Sequence, residues 1–282
     1  MLVTRFAPSP SGLLHRGHAF SALTAQALAR RSGGRLILRI EDIDTARSRP
    51  EFEAAILDDL AWLGLEWETP VRRQSEHLAD YKTALRRLRD ESLVYRCFKT
   101  RREILDDIGR APHEREVAYV GAALPEAEEA ARLAAGEPFA WRLSLAAARR
   151  KLGATWDTLG FVEQGAGPNG EQGEQLARPE RAGDVILARK GLGVAYHLAV
   201  VVDDALQGIT HVTRGLDLFE AVHIQRLLQA LLGLPTPIYH HHRLLLRADG
   251  KRFAKRDQAE TLGQLRASGI TARALKAELG FG

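Results

Sequence analysis

RFAPSPSGLLHRGH, running from Arg5 to His18, joins a strand to a helix across a loop broken by Pro8, Pro10 and Gly12. Thr4 to Ala7 suit a short strand, and HAFSALTAQALARRSGG from His18 to Gly34 reads as an amphipathic helix closed by glycine. A helix that opens there points unpaired N–H groups and the positive end of its dipole at whatever the loop carries, which favours anions. Gly17 lets a flat ring or a phosphate approach the backbone. His15 and His18 are three residues apart, so a helix reaching back that far sets both imidazoles on one face, within reach of one polyphosphate. The stretch therefore predicts a nucleoside triphosphate site lined by His15, Gly17 and His18.

Outward from that junction, strand and helix alternate. RLILRIED from Arg35 follows the glycine stop as a strand, and PEFEAAILDDLAWLG has proline at its first helical position and Gly64 just past its end. A helix opens at Ser75, and Leu93 to Phe98 suit a strand. This alternation predicts a parallel sheet with crossover helices over residues 1–93. From 94 to 181 charged helices and the segment FVEQGAGPNGEQGEQ predict an insertion, with a mobile loop near 164–175. DVILARK, VAYHLAVVVDD and ITHVTRG resume the alternation as strands ahead of the helix FEAVHIQRLLQALLG, placing the second half of the nucleotide-binding domain at 182–234. Pro235 and Pro237 mark a boundary, leaving 235–282 as a lysine-bearing loop and a terminal segment. The expected class is α/β: a Rossmann-type parallel sheet, an inserted α+β subdomain and a short helical C-terminal segment.

With 282 residues, 45% of them apolar, the chain is long enough to bury a full core. No apolar run approaches a membrane span and Met1 leads directly into a strand, so the expected setting is the cytoplasm, with no membrane partner. A single cysteine, Cys97, excludes an internal disulfide. A net charge of +4 suits a polyanionic partner and an ordinary soluble enzyme equally well.

A second basic loop, ADGKRFAKRD, lies far downstream and places Lys251, Arg252, Lys255 and Arg256 around Gly250. With HRGH it resembles the two signature motifs of class I aminoacyl-tRNA synthetases. RFAPSPSG, LRIEDID (38–44), AYHLAVVVDD (195–204) and HVTRGLD (211–217) resemble the glutamate-specific branch, in the same order over most of the chain. The resemblance implies ATP and Mg²⁺, with His15, His18 and Lys255 as catalytic residues and Lys255 closing over the pyrophosphate. It implies a glutamate pocket from Arg5, Phe6, Ala7, Pro8, Ser9, Glu41, Tyr196 and Arg214. Two guanidiniums suit the carboxylates and Glu41 suits the ammonium, but which arginine takes which carboxylate is open. Only Asp257 to Gly282 follow the lysine loop, room for two short helices and for no anticodon-reading domain. That length resembles the short paralogues that attach glutamate to the queuosine base of tRNA(Asp), and implies a monomer partnered by L-glutamate, ATP and that tRNA. The alternatives are a short enzyme charging a tRNA 3′ end, a silent tRNA-binding paralogue, and a nucleotidyltransferase acting on a small acid. Ala254 stands where the lysine motif usually has serine, removing one hydroxyl donor.

Many relatives in this branch hold zinc in the insertion. Here the corresponding positions are Cys97, Lys99, Tyr119 and Ala123; two ligands are missing and Lys99 would repel the ion, so zinc is not expected. Asp42 with Asp44, and Asp203 with Asp204, read as charges beside the site. His240, His241 and His242 alternate faces on a strand and cannot converge on one metal. Trp62, Trp67 and Trp141 read as core. Arg86, Arg87 and Arg89, Arg101 and Arg102, and Arg149, Arg150 and Lys151 are the basic clusters available to nucleic acid.

Overall fold

The chain reverses its direction of sheet growth between β1 (Val3–Phe6) and β10 (His211–Gly215), which lie side by side and parallel. The computed structural model describes residues 1–100, 102–104, 118–189, 193–245 and 260–282. On one side of β1 run β2 (Arg35–Ile40) and β3 (Arg72–Arg73); beyond β10 run β11 (Ile238–His242), β6 (Gly160–Glu163) and β7 (Gly173–Leu176). All neighbours are parallel except β6 with the edge strand β7. A second, antiparallel sheet is built from β4 (Val94–Cys97), β5 (Ala140–Leu143), β8 (Ile186–Arg189) and β9 (Gly193–Val194).

Alternation along the strands divides the apolar residues between two cores. Leu36, Leu38, Ile40 and Phe6 pack under α1 (Arg16–Arg31) and α2 (Pro50–Trp62), while Val3 and Ile37 face α3 (Leu78–Asp90), α6 (Tyr196–Leu206) and α7 (Ala221–Leu232). Helices thus cover both faces of the parallel sheet, the doubly wound arrangement. Local chemistry sets the helix ends: Pro50 opens α2 with Glu51 and Glu53 in its first turn, and Gly64 follows it at φ 68°. In the insertion, α4 (Glu126–Ala134) and α5 (Leu145–Leu152) accompany the second sheet. The two C-terminal helices are α8 (Leu262–Ala267) and α9 (Ala272–Leu279), and their Leu262, Leu265, Leu275 and Leu279 complete the core beneath α1 and α2.

Several expected elements are corrected. VAYHLAVVVDD is not a strand: after the two residues of β9 it forms α6, whose residues from Leu198 to Asp204 are all buried. A helix enclosed on every side needs no polar face, so its valine run imitates a buried strand. DVILARK pairs within the second sheet, not the first, whereas 160–163 and 173–176, expected in the insertion, and 238–242, expected in the terminal segment, extend the main sheet. The stretch expected as a mobile loop is pinned at both ends. Gln175 and Glu174 pair with Phe161 and Val162, and a Cβ on Gly165 would stand 2.8 Å from the His241 nitrogen. Among the described residues, no helix is long and apolar enough to cross a membrane.

Candidate active site

Helix α1 begins at the mouth of the crevice beside β1, and its first turn is capped by histidines. His15 is the N-cap; its Nδ1 accepts from the Gly17 N–H at 3.1 Å, and the His15 N–H donates to His18 Nδ1 at 3.2 Å. The two rings lie 3.9 Å apart between centroids. Because Nδ1 of each neutral imidazole is an acceptor here, the ring proton sits on Nε2, the donor a phosphate oxygen needs. A Cβ on Gly17 would lie 2.9 Å from the His15 ring, so any side chain there would push on the capping imidazole. The chain returning from the lysine-bearing segment docks on this turn. Leu262 N–H donates to the Leu14 carbonyl at 2.9 Å, His15 bridges Thr261, and Arg16 pairs with Glu260 and Glu278. Lys255, with Ala254 beside it, lies outside the described residues, as do Gly250, Lys251, Arg252 and Arg256.

Deeper in the crevice, α6 drives two carboxylates into the sheet. Asp204 accepts from Arg5 Nε at 3.1 Å and Arg39 Nη1 at 2.8 Å. Asp203 accepts from Arg72 Nε, Gln74 Nε2 and the Tyr81 hydroxyl, all within 2.9 Å. Burial alone would raise the Asp204 carboxyl, but Arg5 and Arg39 outweigh it and hold the group below the usual carboxylate range. Glu41, just past β2, goes the other way: burial pushes it up in spite of Arg39, 3.1 Å distant, and Arg5. A buried carboxylate still lifted beside two guanidiniums gains from a further cation, as an α-ammonium would supply. Arg5 pairs with Asp204, and its Nη1 donates to the Thr213 carbonyl at 3.1 Å.

Arg214, buried on β10, is held differently. Its Nε donates to His241 Nε2 at 3.0 Å, and its Nη1 to Gln225 Oε1 at 2.9 Å and to the Tyr196 hydroxyl at 3.4 Å. Each of these acceptors is neutral. Arg214 Nη2 and Gln225 Nε2 are buried and have no hydrogen-bond partner among the described residues. An unpaired buried guanidinium nitrogen costs free energy that an incoming carboxylate restores. His197, next to Tyr196, is pushed down to about 4 by burial and by Arg214, so it is neutral near pH 7 and adds no competing charge.

Arg5, Glu41, Tyr196, Arg214 and the two capping histidines thus lie at the carboxyl ends of β1, β2 and β10, around the switch point where ligands bind in open α/β sheets. Phe6 differs: its ring packs in the core under α1, leaving only its main chain to the ligand side. Pro8 ties the loop to the neighbouring strand by accepting from the Glu41 N–H at 3.0 Å; Ala7 is half-buried and Ser9 exposed. Arg39, Gln225, His197, Glu163 and His241 were not read from the sequence as site residues. The signal for Arg39 was available, since a charge in phase with Ile37 on a buried strand demands partners. Gln225 and Glu163 carried none, because they come from a helix and from a short interior strand distant in sequence.

The remaining groups lie elsewhere. Asp42 accepts from Ser75 N–H and hydroxyl, and Asp44 pairs with Arg47, so the two do not share a ligand. His241 faces Arg214 while His242 turns to Ser21 on α1, as alternation requires. Trp62 and Trp67 pack on one core and Trp141 on the other, with Arg89 and Arg96 over its ring. Of the basic clusters, Arg87 caps the Leu232 carbonyl, Lys151 pairs with Glu91 and Arg149 with Asp157; Arg86, Arg102 and Arg150 are exposed, and Arg101 lies outside the described residues. At the zinc positions Cys97 is buried at the end of β4, Tyr119 lies under the Arg142 guanidinium, and Ala123 is exposed. This donor set does not fit zinc. Asp184 ties the region together instead, accepting from Tyr95, Gly121 and Leu145 at 2.9 Å each.

The catalytic-domain family described as tRNA synthetases class I (E and Q) matches residues 1–279. A protein from Rhodobacter capsulatus named glutamyl-Q tRNA(Asp) synthetase is 47% identical, over 99% of this chain and 100% of its own length. A glutamate–tRNA ligase from Prochlorococcus marinus is 35% identical over 96% of this chain but only 56% of its own. Among solved structures, a glutamate tRNA ligase from Elizabethkingia meningosepticum in complex with its amino acid superposes with a TM-score of 0.72 at 28% identity. The match covers 91% of this chain, which spans 52% of that ligase.

Proposed function

The chain belongs to the class I tRNA synthetases for glutamate and glutamine, matched through their catalytic domain, and on that premise we propose that it activates L-glutamate with ATP and transfers it to the queuosine base of tRNA(Asp). The observation that carries the glutamate reading is the buried Arg214, which among the described residues has one guanidinium nitrogen unpaired and no carboxylate hydrogen-bonded to it. Arg5 already shares Asp204 with Arg39, so Arg214 is the stronger anion receptor and takes the side-chain carboxylate at the pocket's depth. Glu41 receives the ammonium, and Tyr196 steadies Arg214.

A substrate carboxylate is ionised at neutral pH, so its attack on the α-phosphorus needs no general base. One carboxylate oxygen forms the new P–O bond as the bond to pyrophosphate breaks, giving glutamyl-adenylate. The protein contributes alignment and charge: the His15 and His18 Nε2 donors and the α1 N-terminus hold the phosphates, and Lys255 is assigned to the leaving pyrophosphate. Mg²⁺, when bound with ATP, would supply further neutralisation of the phosphate charge. Adenylate formation without tRNA, by a cytoplasmic monomer, completes the reading.

The choice of queuosine over a 3′ end is supported by the relative matched over its whole length. The test is to incubate the protein with ATP, labelled glutamate and tRNA(Asp) with or without queuosine, then cleave the RNA. Label on the anticodon fragment of queuosine-containing tRNA alone is expected. Label at the 3′ end would instead support a tRNA-charging enzyme.

A further inference from the structure

Arg214 rests on a fully buried pair, His241 and Glu163. His241 stands directly opposite it in the β10–β11 register, and Glu163 from β6 lies beyond His241. Arg214 Nε–H donates to His241 Nε2 at 3.0 Å, so that nitrogen is unprotonated and the ring proton is on Nδ1, which donates to Glu163 Oε2 at 2.6 Å. The other carboxylate oxygen, Oε1, accepts from the His241 N–H at 2.9 Å and the Gly165 N–H at 2.7 Å. Both Glu163 and His241 side chains are fully enclosed. The carboxylate is committed to three donors, and none of them is Arg214.

We propose that Glu163 and His241 are positioning residues for the glutamate side chain: Glu163 fixes His241 as the Nδ1–H tautomer, and His241 then holds Arg214 by Nε alone, presenting Nη2 to the substrate carboxylate. This rests on the reading of Arg214 as the receptor for that carboxylate. The interposed ring matters electrostatically. An acid bonded directly to Arg214, as Asp204 is to Arg5 and Arg39, would neutralise the guanidinium and compete with the ligand. A neutral imidazole supplies the needed acceptor while keeping the acid one ring farther away. Two flanking glycines allow it: a Cβ on Gly165 would collide with the His241 main chain, and one on Gly167 would stand 2.8 Å from the Phe219 ring, whose centroid lies 5.1 Å from that of His241.

The test uses Glu163→Gln, which has nearly the same size and removes only the charge and one acceptor. An amide there cannot accept from the two backbone N–H groups and from Nδ1–H together. With its oxygen on the backbone, its NH₂ faces Nδ1 and drives the ring to the Nε2–H tautomer, which then opposes Arg214 Nε–H. Glutamate KM in ATP–pyrophosphate exchange should rise about tenfold or more, as expected for an unmet buried donor, with ATP KM and kcat little changed. The ¹⁵N signals of His241 should show the proton moving from Nδ1 to Nε2. His241→Gln, whose amide oxygen can reach Arg214 Nε, should keep glutamate KM nearer the wild-type value than His241→Leu does. Wild-type exchange with an unchanged glutamate KM in Glu163→Gln, or an equal rise in both KM values, would overturn the proposal. A wild type that does not exchange with glutamate would overturn the functional reading on which it rests.

Discussion

His15 caps a helix and, on the proposed function, also holds the triphosphate; the two roles use different nitrogens. Nδ1 accepts from the Gly17 N–H, which leaves the proton on Nε2. Asparagine is as good an N-cap but cannot place a donor where Nε2 lies. His15→Asn should therefore leave the thermal midpoint within a few degrees of wild type while slowing adenylate formation about a hundredfold, the order of effect for one preorganised donor at developing charge. Loss of stability in step with activity would mean that His15 acts only as a cap. This pair was legible in the sequence because three-residue spacing at a helix start has one geometric meaning. The different partners of Arg5 and Arg214 were not, since they depend on Asp204 reaching the first guanidinium and His241 the second.

At the scale of elements, α6 shows where sequence periodicity fails. Asp203 and Asp204 are adjacent, about 100° apart around the helix, and so reach separate groups of donors on the sheet and on α3. That demand for a helix is invisible in a run of valines flanked by glycine. Helices α1, α2 and α3 were legible because each keeps one apolar stripe and its own start and stop signals. The contact of α2 with α8 carries a measurable charge effect. Burial pushes the Asp59 carboxyl up to about 6 despite the pull of Arg266. Its folded value exceeds the unfolded value of about 4, so stabilisation by the neutral form is complete below pH 4 and is lost as pH rises through 6. Asp59→Asn, neutral throughout, should raise stability by roughly 1–2 kcal/mol at pH 8 and leave it unchanged near pH 3.5. Denaturant titration at the two pH values reads the difference, and an equal gain at both would show that charge is not the cause.

Across the whole molecule, the fold class followed from the alternation of strands and helices, but the division of the chain did not. Strands β6 and β7 cross back into the main sheet from within the stretch that reads as an insertion, while β8 stays with the second sheet. Short strands of four residues carry too little pattern to declare their partner, and only long-range pairing assigns them. As a result β6 brings Glu163 beneath His241 and so joins a distant segment to the hydrogen-bonded surroundings of Arg214. On the proposed function, one crevice at the β1–β10 switch point binds both ATP and glutamate. Glutamate-dependent exchange of labelled pyrophosphate into ATP, measured without tRNA, tests it most directly. Exchange with glutamate that falls sharply with glutamine or aspartate, and that Arg214→Lys weakens through glutamate KM, is the predicted result; exchange indifferent to the amino acid, or absent, would contradict it.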